Sequence, residues 1–263
     1  MSVERVPWDV VEHARHVEEC LRLYGSEHPD TLTARHHLAR AYETVGETGR
    51  AIEHYTSVLA DADRVLGREH PLSALSCSRL ARARACAGDA AGAVPFYERA
   101  LAVRRQAHGH DTPAVLAAAN NLAQAYSAVG EPAKALPLLE EALGTAEASV
   151  GARDVLTLRI RVNLATTHRT CGDVERAVAL SERTLADVED MHGPGHPDVL
   201  ALRHHLAQAC QAAGQTARAR RLLQEVLDEA DRSGAQDDPA VRSVVEAVCA
   251  QLGGLADEPS SAA

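Results

Sequence analysis

The chain is 263 residues long, and its 37 acidic and 27 basic side chains give a formal charge of −10. That balance excludes general attraction to nucleic-acid phosphates or anionic lipid, so neither is expected as a partner. Hydrophobic residues make up 46% of the chain but aromatics only 3%, so a core must come from close approach of small side chains, which favours helix against helix.

Residues 1–6 read as an N-terminal extension. Residues 7–24 (PWDVVEHARHVEECLRLY) have a helical period and align with 49–66, the second half of a longer unit that repeats every 42 residues. Complete repeats follow at 25–66, 67–108, 109–150, 151–192 and 193–234. A closing half repeat is assigned to 235–252 and a disordered tail to 253–263. About twelve helices in a single array over 7–252 are expected, each repeat burying its apolar face against its neighbours.

Five columns recur in every complete repeat: Leu38, Leu80, Leu122, Leu164, Leu206; the alanines that follow them; Gly46, Gly88, Gly130, Gly172, Gly214; Ala51, Ala93, Ala135, Ala177, Ala219; and Leu59, Leu101, Leu143, Leu185, Leu227. A large residue beside a small one lets a second helix approach closely, and glycine is the residue that ends a helix in the left-handed conformation at little cost. Each repeat is therefore predicted to be a helical hairpin. Its first helix starts at His28, His70, Thr112, Asp154, His196 or Asp238, with proline next at every start except Val155. Polar N-caps followed by proline account for this pattern, including the two His-Pro-Asp tripeptides.

The six cysteines form no C-x-x-C pair and are read as small buried apolar residues. Residues 1–20 lack the apolar stretch of a secretory signal, and no apolar run is long enough to span a bilayer, so a cytoplasmic protein without a membrane partner is expected. One lysine, Lys134, among many arginines and alanines suggests GC-rich bacterial coding.

The phrase built from Leu38, Ala39, Tyr42, Gly46, Ala51 and Tyr55, together with the NNLAQAY stretch at 120–126, resembles the tetratricopeptide repeat, in the 42-residue variety of kinesin light chains. The resemblance implies an all-α, right-handed superhelical solenoid of antiparallel helix hairpins whose first helices line a concave groove that holds a peptide or partner protein. It also implies that asparagines before the Leu-Ala pair bind the ligand's main chain. That position holds His37, Arg79, Asn121, Asn163 and His205, so the role transfers to Asn121 and Asn163. A side-chain amide both donates and accepts hydrogen bonds, which suits sequence-tolerant recognition of a backbone.

Stepping along the same helix face adds His36, Arg40, Arg82, Asn120, Gln124, Arg169, His204 and Gln208. Cationic and amide groups inside an acidic protein favour an acidic segment as the ligand. Neighbouring helical residues such as His36 and His37 point about 100° apart and cannot share one metal. The loop stretch His108-Gly109-His110-Asp111 has better metal-ligand spacing, but the matching loops carry no such cluster, and no metal or other cofactor is assigned. With no nucleophile elbow, zinc-helix motif or phosphate loop, the reading is a non-enzymatic interaction module: an adaptor or regulator. A self-assembling scaffold, that is a homo-oligomer, and an enzyme or small-molecule sensor are the two alternatives.

Overall fold

The computed structural model describes residues 8–234 and 237–256. Twelve α-helices and no strand occur among them: α1 (Trp8–Tyr24), α2 (Pro29–Thr44), α3 (Thr48–Val65), α4 (Pro71–Cys86), α5 (Ala90–His108), α6 (Pro113–Ala128), α7 (Pro132–Ser149), α8 (Val155–Thr170), α9 (Val174–His192), α10 (Pro197–Ala212), α11 (Thr216–Ser233) and α12 (Pro239–Ala256). The chain divides into two compact units, Met1–Glu131 and Pro132–Ala263. The division falls between the two helices of the 109–150 repeat, which gives α6 to the first unit and α7 to the second.

Each first helix begins where the cap column places it. The side chains of His28, His70, Asp154, His196 and Asp238 accept a hydrogen bond from the backbone N–H two residues on, at 2.8–3.2 Å. Thr112 makes no such bond. The hairpin turns are Schellman motifs in all five complete repeats. At Gly46, for example, the Glu47 N–H donates to the Tyr42 carbonyl and the Gly46 N–H to the Glu43 carbonyl. Gly46 sits at φ +81°, where a Cβ would be strained.

A sixth column joins the five: Gly25, Gly67, Gly109, Gly151 and Gly193, all with φ between +77° and +102°, turn the chain from each second helix toward the next first helix.

The alanine columns act as the holes that their size suggests. Ala51, Ala93, Ala135, Ala177 and Ala219 are completely buried, as are Ala39, Ala81, Ala123 and Ala207, and Ala165 is nearly so. In the N-terminal unit Tyr55 is buried among Ala39, Leu59, Cys77 and Leu80. In the C-terminal unit one apolar cluster runs from Ala177 through Leu206 and Leu223 to Val248.

The largest fully buried side chain, however, is an arginine. Arg161 of α8 donates to Asp187 of α9 at 2.6 Å, to Glu147 of α7 at 2.9 Å and to the Ala152 carbonyl at 3.1 Å, tying three helices together.

Three expectations are corrected. α12 continues to Ala256, so residues 253–256, assigned above to a tail, are helical, while 1–7 and 257–263 lie outside the described residues. Only Cys20, Cys77 and Cys210 are buried; Cys86, Cys171 and Cys249 are exposed. The first two of these exposed cysteines sit where α4 and α8 end, and Cys249 occupies the alanine column of α12, where no second helix follows among the described residues. His36 and Asn120, assigned to an open groove face, are buried, at 2% and 1% exposure.

Candidate functional site

In the N-terminal unit the predicted cationic face is largely neutralised from within. Glu43, near the end of α2, accepts from the Tyr55 hydroxyl at 3.0 Å, is hydrogen-bonded by Arg82, and lies 3.7 Å from Arg79. Two of the three candidate arginines on this unit are therefore held by a carboxylate that the sequence reading had not placed there. Burial and the Glu43 carboxylate beside it push the Tyr55 phenol far above its ordinary range.

His36 packs 5.3 Å from the Tyr55 ring, and its Nδ1 lies 2.9 Å from the Ser76 hydroxyl. Burial, reinforced by His37, Arg79 and Arg40, lowers its pKa to about 4, so it is a neutral core residue at physiological pH. His37 and Arg40 remain exposed on the same helix, with His13 of α1 packed edge-on against His37 at 6.1 Å. Arg40 has no carboxylate within ion-pair distance among the described residues. On α6, Asn121 is half-buried and Gln124 exposed.

The C-terminal unit brings three candidates together. Arg169 of α8, His204 and Gln208 of α10 line a 690 Å³ cavity with Gln211, Ala212 and three residues of α12, Ala247, Ala250 and Gln251. Gln251 donates to Gln211 at 2.6 Å, and the Gln208 amide lies 3.2 Å from His204 Nε2. Burial lowers the His204 pKa, and a hydrogen bond with Gln251 partly opposes it. Arg169 is thus the only fixed charge lining the cavity, and it has no carboxylate partner among the described residues.

His205 is exposed and lines a separate, narrower crevice with Arg169. Asn163 is half-buried on α8.

Gln211 and Gln251 escaped the sequence reading, although both left a trace. Gln211 lies one repeat beyond Arg169. Gln251 occupies the column of Ala41, Ala83, Ala125, Thr167 and Ala209, all of them buried, so an amide there departs from a small-residue column.

A cavity walled by one arginine and three glutamines can hold an extended backbone through its amides and an acidic group through its guanidinium. No group of three or more His, Cys, Asp or Glu side chains placed to hold a metal occurs among the described residues. The His108 side chain lies outside them. No helix among the described residues is long and apolar enough to cross a membrane.

No curated protein matches the chain. Among solved structures, a Podosopora anserina protein of nearly identical TPR-like repeats, assigned to the kinesin light chains, is 32% identical, with a TM-score of 0.71 over 77% of this chain and 96% of its own. BtubC from P. vanneervenii is 23% identical with a TM-score of 0.65, covering 97% and 95% of the two chains. YrrB, described as a TPR protein with an unusual peptide-binding site, is 16% identical with a TM-score of 0.55, covering 88% and 96%. The tetratricopeptide repeat profile itself matches residues 31–72, 71–148 and 156–228. With the profile matching well over half of its length, this chain belongs to the tetratricopeptide repeat family, an all-α solenoid fold whose members are protein-interaction modules.

Proposed function

We propose that the protein is a non-enzymatic adaptor or regulator that holds an extended, acidic segment of a partner protein. Its main contact is the α8, α10 and α12 cavity of the C-terminal unit. The observation that carries this reading is Arg169: a guanidinium without a carboxylate partner among the described residues, in a 690 Å³ cavity otherwise lined by amides, a neutral histidine and alanines. Charge complementarity of this kind selects an acidic chain, and the glutamines tolerate its sequence because they read the main chain. Asn163 on α8 and Asn121 on α6 supply amides of the same kind within their own units.

End-to-end stacking of copies is the weaker reading. The α1 positions equivalent to Ala51, Tyr55 and Val58 hold Asp9, His13 and His16, so stacking would bury a carboxylate where complete repeats bury alanine.

The test is binding of fluorescent ten-residue peptides with blocked ends and graded Asp and Glu content. Affinity should rise with acidic content and fall at least tenfold in Arg169→Gln, with the melting temperature unchanged. Asn121→Ala combined with Asn163→Ala should weaken binding in the same way. Affinity independent of peptide charge, or an Arg169→Gln variant within twofold of wild type, would refute the assignment.

A further inference from the structure

Three complete repeats carry arginine at one position of the first helix, Arg35, Arg161 and Arg203. In the C-terminal unit the residue fourteen places earlier is a glutamate that accepts from that arginine: Glu147 for Arg161 and Glu189 for Arg203. Glu147 is also paired with Arg183 at 3.1 Å.

Around Arg35 both of these partners are missing. Leu21 stands at the position of Glu147 and Ser57 at that of Arg183. Arg35 keeps Asp61 at 2.8 Å, the counterpart of Asp187, and turns its other terminal nitrogen to the Ser57 hydroxyl at 2.7 Å.

Where the sibling repeat places a glutamate and an arginine, the N-terminal unit has a 440 Å³ cavity between α1, α2 and α3. That volume falls within the roughly 300–1,000 Å³ of small-molecule sites. Val17, Leu21 and Leu38 provide apolar lining, and Ser26, Arg35, Glu53, His54 and Ser57 the polar lining. Glu53 is exposed and makes no ion pair among the described residues. Asp61, just beyond, is shared by Arg35 and Arg64, and Arg64 also holds Glu27. Burial and the nearby Arg35 lower the His54 pKa, so this ring adds no charge at neutral pH.

A ligand that restores what the sibling repeat contains must bring one anion and one cation together, on an apolar body. We propose that this cavity binds a free aliphatic α-amino acid. Its carboxylate meets Arg35 and Ser57, its ammonium meets Glu53, and its side chain lies on Val17, Leu21 and Leu38. The site is separate from the C-terminal cavity and stands or falls independently of it.

The test titrates L-leucine, N-acetyl-L-leucine and L-leucinamide into the ¹⁵N-labelled full chain, up to about 10 mM, a range that detects millimolar affinity. Leucine should give saturable shifts at the Arg35 side chain and the Ser57 amide, with both blocked compounds at least tenfold weaker. Leu21→Glu, at a position already 40% exposed, rebuilds the sibling ion pair and should abolish binding without lowering the melting temperature. Glu53→Gln should weaken leucine but leave N-acetyl-leucine unchanged. Absence of saturation by leucine, equal affinity for all three compounds, or wild-type binding by Leu21→Glu would overturn the proposal.

Discussion

Replacing Arg161 with methionine tests whether a buried charge is the pin of the C-terminal unit. The side chain is fully buried, and its three hydrogen bonds reach α7, α9 and the loop between α7 and α8. Methionine keeps much of the aliphatic volume but leaves Glu147 and Asp187 without their shared cation. Removing one member of a buried ion pair costs about 3–5 kcal/mol. Here the two carboxylates are 30% and 22% exposed and keep a second arginine each, Arg183 at 3.1 Å from Glu147 and Arg153 at 3.6 Å from Asp187, so part of the charge stays compensated and about 2–4 kcal/mol is expected.

At a urea dependence of about 2 kcal/mol per molar, this shifts the unfolding midpoint down by roughly 1–2 M, read by far-UV circular dichroism. The chain itself suggests the rescue. In the 109–150 repeat the arginine position is Ala119, buried at 2% exposure, and the Asp187 position is Thr145. Arg161→Met combined with Asp187→Thr and Glu147→Gln should therefore recover most of the loss, since an apolar replacement of a whole buried pair is often neutral. A single substitution costing less than about 1 kcal/mol, or a triple variant no more stable than the single, would refute the reasoning.

Two further outcomes follow from the packing. His36 has a folded pKa of about 4 against an ordinary 6.5, so the unfolded chain binds the extra proton first. Its stabilising contribution is complete above pH 6.5 and is lost as pH falls toward 4, by about 2 kcal/mol between pH 7 and 5. Urea unfolding at those two pH values should show this loss reduced in His36→Gln, and an identical pH slope in wild type and variant would exclude His36 as its source. Ala165→Leu should lower stability by about 1–3 kcal/mol because the second helix covers that column, whereas Cys249→Leu, in the same column but exposed on α12, should change it by less than about 0.5 kcal/mol. Equal losses in thermal melts would show that coverage by the second helix is not what constrains the column.

The 42-residue period by itself determined the helices, their caps and their turns, because these depend on local chemistry. A histidine or aspartate before a first helix caps it wherever that helix goes, a glycine ends it by backbone sterics alone, and an alanine beside leucine requires a close neighbour without needing to know which. Only the tertiary structure decided what each polar side chain on those helices meets. His36 and Asn120 share the helix position of the half-buried His204, yet they are buried while His204 opens on a cavity. Arg79 and Arg82 share the groove face by periodicity, but Glu43, 36 and 39 residues away in sequence, lies beside both of them and pairs with them. Arg169 has no such partner among the described residues. Periodicity records which residues share a face, but the charge and burial of that face depend on the side chains brought to it by neighbouring helices.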